Sequence, residues 1–161
     1  MPSIIYTRGT SSIYSSPNME RICDRIIQLN GDTLPGATIN QRIIIVVDKM
    51  DIDCSGDKLL IYDGKKDQQL VLNKNEASQC GTKKSYYRTI QSNTAVIEFI
   101  SNSDGKTGYG FIINVAINFP VKTCSQLDNL YRCRNYYCIS NIFNCDDRNW
   151  CGDDTQRYLC R

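Results

Sequence analysis

The sequence predicts an all-β protein, an antiparallel β-sandwich followed by a small disulfide-rich tail with little regular secondary structure. Two observations carry this prediction. Before residue 120, short apolar runs alternate with Asn, Asp, Gly and Ser, and no 3.6-residue periodicity is sustained, as is typical of antiparallel sandwiches. The 37 residues from Cys124 to Cys160 contain six of the nine cysteines, which indicates a segment held together by crosslinks.

The apolar runs predict the strands. Arg42–Val47 is continuously apolar and rich in β-branched residues, which is typical of a strand covered on both faces. Leu59–Tyr62 ends at Asp63-Gly64, a tight-turn signal. Three further runs also predict strands, and the last two partly alternate apolar with polar residues: Leu70–Leu72, Ala95–Ile100 and Tyr109–Phe119.

The tail is too short to bury enough surface to fold without a covalent or metallic constraint. It contains no C-x-x-C pair and the chain has no histidine, so disulfides are favoured over zinc. Disulfide frameworks persist in oxidising compartments, and we therefore expect an extracellular or cell-surface ectodomain from the secretory pathway. The uneven cysteine distribution predicts two domains, residues 1–119 and 124–161, joined by a short linker at residues 120–123.

Charge and composition exclude several function classes. The 19 basic and 17 acidic residues leave a net charge of +2, without the basic footprint of a nucleic-acid-binding protein. No apolar run is long enough to span a bilayer, so we expect no membrane insertion by this chain. The N-terminus lacks the apolar centre of a signal peptide, which predicts a fragment of a larger ectodomain. Without histidine there is no Ser-His-Asp or Cys-His pair, and we expect no enzymatic activity.

An ordered set of motifs resembles a CUB domain over roughly residues 10–119. The motifs are Cys54–Gly64, which reads C-x-x-D-x-L-x-I-Y-D-G, then Gln79-Cys80-Gly81, Ile97–Ser101 and Gly108–Phe111. The resemblance implies a β-sandwich with a disulfide between Cys54 and Cys80.

Cys23 stands where CUB domains have one half of a second disulfide, but no cysteine precedes it. We therefore expect Cys23 to be unpaired within this chain. Three explanations are open: the partner lies outside this fragment, the thiol is buried as a small apolar group, or it pairs with another chain.

The resemblance also implies a calcium site that many CUB domains carry at one end of the sandwich. Asp53 and Asp57 fall at two ligand positions, Asn102 replaces the third, and Asp104 lies two residues further on. These oxygen donors suit calcium. In the alternative interpretation, Asp57 accepts hydrogen bonds from the loop backbone and no ion is present.

The tail resembles an LDL-receptor class A module over its full length. The resemblance lies in the six-cysteine spacing and in Tyr131-Arg-Cys133, Cys138-Ile139 and Phe143–Asp146. Of the 15 connectivities that six cysteines allow, it implies three particular pairs: Cys124–Cys138, Cys133–Cys151 and Cys145–Cys160.

Modules of this family fold around calcium, which four carboxylates and two backbone carbonyls hold. This chain keeps Asp146 but has Trp150, Gln156 and Arg157 at the other three carboxylate positions. Because calcium affinity follows ligand charge, we expect the tail to bind no calcium and the chain to require no cofactor. Two interpretations of the substitution by Arg157 are open. Its guanidinium takes the place of the ion, or its side chain points to solvent. Another carboxylate shifting inward would restore a site: Asp147, Asp153 or Asp154.

The lost carboxylates also predict the loss of the lysine capture that this family uses for its partners. We expect Tyr136, Tyr137 and Trp150 to be partner-binding candidates, because aromatic residues are frequent at interface hot spots. The alternative is that these rings cover the disulfides. Lys83–Arg88 mixes basic and aromatic residues. This composition fits a solvated strand edge or loop. The alternative is a binding patch, for which sulfated glycans or an acidic protein face would be suitable partners.

The two resemblances together predict an extracellular protein–protein interaction unit. We expect a fragment of a single-pass membrane co-receptor or of a receptor auxiliary or clustering subunit. Its partner is then an extracellular protein ligand or a receptor subunit. The alternatives are the non-catalytic region of a modular extracellular protease and a structural spacer.

Overall fold

The computed structural model describes residues 11–14, 25–30, 41–64, 70–102, 104, 106, 108–124, 129–143 and 147–155. The strands in these ranges are β1 (Ser11–Tyr14), β2 (Arg25–Asn30), β3 (Arg42–Ile52), β4 (Lys58–Asp63), β5 (Gly81–Arg88), β6 (Thr94–Ile100), β7 (Gly110–Pro120), β8 (Leu130–Arg132) and β9 (Tyr137–Ser140). One helical turn, α1 (Val121–Cys124), follows β7, and short 3-10 turns form at Glu76–Ser78 and Asn141–Phe143. No helix within these ranges is long and apolar enough to cross a membrane.

The described strands form two antiparallel sheets. The larger sheet has the order β5-β3-β7-β9-β8, and β1 also pairs with β7. Along β7, Ile112–Val115 pairs with β1 and Phe119-Pro120 pairs with β9. The smaller sheet has the order β2-β6-β4. The larger sheet therefore contains strands from both the predicted sandwich and the predicted tail.

An aliphatic core lies between the two sheets, because β3 and β7 of one sheet and β4 and β6 of the other each turn alternate residues inward. We call it the inner core, and its fully or nearly fully buried members are Ile43, Ile45, Val47, Met50, Ile52, Leu59, Ile61, Ala95, Ile97, Phe99, Phe111, Ile113 and Val115. This arrangement confirms the predicted antiparallel β-sandwich.

The opposite face of the larger sheet is also buried. Ile44 and Val46 of β3 and Ala116 of β7 point away from the inner core and pack against residues of the tail. We call this second cluster the outer cluster. The prediction that β3 is covered on both faces is therefore confirmed, and the tail supplies the second cover.

The structure differs from the predicted strands in two places. Leu70–Leu72 forms only one isolated bridge, between Val71 and Tyr62, and is therefore not a strand that pairs along its length. Residues 81–88, in contrast, form an eight-residue strand that pairs with β3. Buried and exposed residues alternate only weakly along β5, because β5 lies at an edge of the described sheet.

Residues 120–123, predicted to be a linker, continue the fold directly. Pro120 is the last residue of β7 and pairs with Tyr137 of β9, and the chain then turns through α1. The tail consequently folds back over the outer face of the larger sheet. Its position is set by strand pairing as well as by side-chain packing.

Candidate functional site

The contact between the tail and the outer face of the sheet centres on Trp150. Its side chain is only 3% exposed, and its ring centroid lies 4.6 Å from that of Phe143. The two rings pack with Ile139 and the buried Cys133–Cys151 disulfide against Ile44, Val46 and Ala116. Burial of this much apolar surface stabilises the docked tail.

Tyr86 of β5 lies directly beneath the tail. Gly152, at φ 73°, leaves room for its ring, since a Cβ there would overlap the ring. The Tyr86 hydroxyl is buried and has no hydrogen-bond partner among the described residues. Burial raises the pKa of Tyr86 to about 12, the Asp153 carboxylate adds to that effect, and the Arg88 guanidinium opposes it. Tyr86 therefore stays neutral to a higher pH than a free tyrosine does.

A polar contact fastens one edge of the tail to the sheet. Arg148 Nε donates to Asp48 Oδ2 at 2.6 Å, and Asn114 Nδ2 donates to the same oxygen at 2.5 Å. Asp48 lies at an irregularity in β3, where the pairing register with β7 shifts between Val47 and Lys49. Such bulges re-aim side chains, and here the carboxylate faces the tail. Sequence reasoning did not find this ion pair, because its residues are 100 positions apart.

The partner-binding candidates in the tail lie in different environments. Tyr136 is 70% exposed at the turn between β8 and β9. Tyr137 is half-buried, and its ring stacks on the Arg88 guanidinium at 4.1 Å. The prediction that Trp150 binds a partner is wrong, because its ring is buried against the sandwich and cannot reach a partner. The stack of Arg88 on Tyr137 was not predicted from the sequence, because the two residues lie far apart in the chain.

The residues of the implied CUB calcium site lie close together at one end of the sandwich. The Ser55 hydroxyl lies within hydrogen-bond distance of the carboxylates of both Asp53 and Asp104, the latter at 2.6 Å. Asp57 Oδ1 accepts the backbone N–H of Asn102 at 2.8 Å, and Asn102 Oδ1 accepts that of Asp104 at 3.3 Å. Asp57 therefore makes the backbone contact that the ion-free interpretation expects.

This loop cluster fits calcium only in part. The hydrogen bond from Ser55 lowers the pKa of Asp104, so that carboxylate is ionised at neutral pH. Oxygen donors of this kind are those that calcium takes. Within the described ranges, however, no group of three or more carboxylates converges closely enough to hold a metal ion.

In the tail, only part of the implied calcium cage lies within the described residues. Asp146, Gln156 and Arg157 lie outside them. Trp150 is inside the outer cluster and supplies no oxygen ligand. The Asp153 carboxylate accepts the backbone N–H groups of Asn135 at 2.9 Å and Thr155 at 3.0 Å, together with the Thr155 hydroxyl. This carboxylate is therefore used to fix the tail's own backbone.

The structure joins six of the cysteines in three pairs. Cys54 bonds to Cys80, with 5.2 Å between their Cα atoms. In the tail, Cys124 bonds to Cys138 and Cys133 to Cys151, at Cα separations of 6.0 and 5.6 Å. These are pairs that the two resemblances imply. The remaining three cysteines lie outside the described residues: Cys23, Cys145 and Cys160.

Comparison with known proteins identifies the sandwich. Residues 36–115 match the CUB-domain family. The chain is similar in structure to the MASP-1 CUB2 domain bound to Ca2+, with 20% sequence identity and a TM-score of 0.51 over 72% of this chain and 99% of that one. It is also similar to the CUB1-EGF-CUB2 region of human MASP-1/3, with 20% identity and a TM-score of 0.49 over 71% and 41% of the two chains. A search of curated proteins found no match.

The chain therefore carries a CUB domain, as predicted, with the CUB β-sandwich fold. CUB domains are non-catalytic modules that mediate protein–protein contacts outside the cell. The disulfides of the described residues fit a secreted or cell-surface protein. The family match ends before the tail, so the class of the tail stays a prediction.

Proposed function

We propose that the chain is a rigid protein-binding unit in the extracellular part of a single-pass membrane co-receptor or receptor auxiliary subunit. The observation that carries this proposal is the outer cluster, through which the tail and the CUB sheet bury one another. Two modules joined in this way present their surfaces in a fixed relation, which lowers the entropy cost of binding a partner.

We propose that residues 124–161 form a degenerate LDL-receptor class A module, following the CUB domain at residues 1–119. The pairs Cys124–Cys138 and Cys133–Cys151 support this assignment. The proposal adds a third bridge, Cys145–Cys160. Peptide mapping of the unreduced protein tests it, since any other partner for Cys145 contradicts the assignment.

The tail, on this proposal, folds without calcium. Trp150 stands where the family has a carboxylate and instead fills the outer cluster, and Asp153 already binds backbone N–H groups. Disulfides and burial against the CUB sheet replace the ion as the source of stability. Lysine capture by a calcium cage is then unavailable to the tail as a way of binding partners.

Calorimetric titration of the whole chain with calcium separates the two implied sites. A single site that disappears in Asp57→Asn belongs to the CUB loops, since Asn keeps an oxygen for the Asn102 N–H but removes the charge. A second site, or one that survives in Asp57→Asn, contradicts the proposal for the tail. Calcium at the CUB loops stays a prediction until that titration.

The co-receptor proposal is tested by two measurements. The purified chain, used as a soluble probe against cells that each display one receptor ectodomain, is expected to bind a membrane receptor saturably. The coding sequence of the longer protein is expected to contain a membrane span followed by a short cytoplasmic tail. A histidine-containing catalytic domain in its place assigns the chain to a modular protease, and a folded probe that binds nothing assigns it to a spacer.

A further inference from the structure

The turn between β8 and β9 presents an aromatic ring in an unfavourable backbone conformation. Tyr136 is 70% exposed and has a φ of 65°. Bulky L-residues rarely adopt this left-handed conformation, which Gly and Asn tolerate better. Residues held in such conformations cluster at binding sites and ligand clamps. A three-residue hairpin loop takes a left-handed residue at its last position, and this chain has an exposed tyrosine there, where Gly or Asn would fit with less strain.

The neighbours of Tyr136 hold the turn rigidly. Cys133 N donates to the carbonyl oxygen of Tyr137 at 2.8 Å, and Tyr137 N donates to Asn135 Oδ1 at 3.3 Å. The backbone N–H of Asn135 donates to Asp153 Oδ2 at 2.9 Å, and its Nδ2 donates to the carbonyl oxygen of Cys151 at 2.5 Å. The Cys133–Cys151 disulfide joins the same two segments. A ring on so fixed a turn loses little entropy on binding.

Arg88 extends this surface from the tail onto the CUB sheet. Its guanidinium stacks on the ring of Tyr137, next to Tyr136 in the chain. In the part of the chain that the structure describes, the stack is the contact found for this guanidinium, and no acceptor oxygen bonds to it. A stacked guanidinium keeps its planar N–H edge available for a carboxylate.

We call three residues the hairpin-tip surface: Arg88, Tyr136 and Tyr137. The Asp153 carboxylate near it accepts the backbone N–H groups of Asn135 and Thr155. The surface therefore joins a guanidinium of the CUB sheet to two rings of the tail, and it exists only while the tail is docked on the sheet.

We propose that the hairpin-tip surface binds an acidic segment of a partner protein. A carboxylate of the partner binds Arg88, and the Tyr136 ring inserts into an apolar pocket of the partner. Tyr and Arg are the residues that most often dominate the energy of protein interfaces. A sulfated glycan fits less well, because one guanidinium beside two rings lacks the dense positive charge that attracts polyanions. The inference rests on the proposed function, since it names the partner class of the same binding unit.

The test uses random peptides displayed on phage and selected against the whole chain. We expect the selected peptides to be rich in Asp and Glu beside an apolar residue. Their affinity is expected to fall roughly tenfold or more for Tyr136→Asn and for Arg88→Gln, as for interface hot spots. Tyr109→Ala is the matched control, because Tyr109 is a 73% exposed ring with a cation, Lys49, 5.5 Å from its centre, in a different part of the sandwich.

Thermal unfolding separates a binding role of Tyr136 from a structural one. Asn adopts the left-handed conformation more readily than Tyr, so Tyr136→Asn is expected to keep or raise the melting temperature while it loses the peptides. A lowered melting temperature together with unchanged peptide affinity shows a structural role and overturns the inference.

Other outcomes also decide the question. Selected peptides without acidic enrichment, or unaffected by both variants, overturn the inference. Heparin binding that the same variants abolish, in the absence of bound peptides, overturns it in favour of a glycan. If a receptor ectodomain binds the wild-type and variant chains equally, the proposed function stands, and the inference that this surface binds the partner is wrong. If acidic peptides bind here but no ectodomain does, the surface stands and the co-receptor proposal fails.

Discussion

The two faces of β3 bury neighbouring residues in different ways. Ile45 points into the inner core among aliphatic side chains from both sheets, whereas Ile44 points into the outer cluster among aromatic rings and a disulfide of the tail. Both side chains are 0% exposed. A continuously apolar strand therefore shows that both of its faces are covered, but it does not show what covers them.

The two clusters also differ in how completely their polar groups are satisfied. Among the described residues, the buried side-chain atoms without a hydrogen-bond partner belong to Tyr86 and Asn118. Both residues share the outward face of the larger sheet with Ile44 and Ala116, by the alternation of strand residues. Unsatisfied buried groups cost about 1–3 kcal/mol each, so the outer cluster is the less complete of the two.

The largest expected effect tests whether the outer cluster is a true core. Trp150→Ala is expected to lower the free energy of unfolding by about 3–5 kcal/mol, as large-to-small changes of buried aromatic residues do. Urea denaturation followed by circular dichroism measures it. Ile45→Ala, in the inner core, is the comparison and is expected to cost about 2–5 kcal/mol.

The exposed Tyr109 provides the control for that experiment, and Tyr109→Ala is expected to stay within about 0.5 kcal/mol of the wild type. A loss for Trp150→Ala no larger than that of the control would show that the docked tail adds little stability. A second unfolding transition in Trp150→Ala alone would show that the tail undocks independently of the sandwich.

Two tyrosines whose hydroxyls are buried provide a matched pair of intermediate effect. Tyr62, on the outward face of the smaller sheet, donates a hydrogen bond to Glu98 at 2.9 Å, whereas the Tyr86 hydroxyl is without a partner in the described residues. Tyr62→Phe is therefore expected to lower the free energy of unfolding by about 1.5–3 kcal/mol, and Tyr86→Phe to raise it by about 1 kcal/mol. A loss of stability in Tyr86→Phe would reveal a hydrogen bond, direct or through water, that the hydroxyl makes in solution.

The same tyrosines make stability depend on alkaline pH. Burial raises the pKa of Tyr86 to about 12, and burial with the Glu98 hydrogen bond raises that of Tyr62 to about 12, from 10.0. As pH rises above about 10, the unfolded chain releases these protons before the folded chain does, so stability is lost towards about pH 12. Denaturation midpoints between about pH 9 and 11 should fall more gently for Tyr86→Phe than for the wild type.

The smallest expected effect concerns the polar edge of the outer cluster. Arg148 and Asp48 are 38% and 23% exposed, so water screens their attraction. A double-mutant cycle with Arg148→Ala and Asp48→Ala is expected to give a coupling energy of about 0.5–1 kcal/mol that weakens with added salt. A coupling near zero would leave apolar burial as the source of the docking energy.

Much of the sandwich could be predicted from local patterns. The β-branched run at β3, the Asp63-Gly64 turn and each single CUB motif lie within a short stretch of the chain. The two family resemblances implied the three cysteine pairs that the structure describes. The strand at β5 was harder to predict, because its residues are mostly half-exposed and carry no clear apolar alternation.

The candidate site was predictable only in part. Tyr136 lies exposed in a turn, as a partner-binding residue must, but Trp150 is buried. Both are aromatic residues between cysteines, and nothing in their local sequence separates them. Their exposure depends on which face of the tail meets the sheet, and that is determined by packing between residues that are distant in the chain.

The sequence by itself determined the strand pattern of the sandwich and, through its CUB motifs, the family of the sandwich, because each motif depends on residue identity at short spacing. Only the tertiary structure decided that the tail covers the outer face of the CUB sheet, with Trp150 buried and Arg88 stacked on Tyr137. Those contacts join residues up to 100 positions apart, as Asp48 and Arg148 are. Burial and complementary shape select such pairs, and neither is written in any local stretch of the chain.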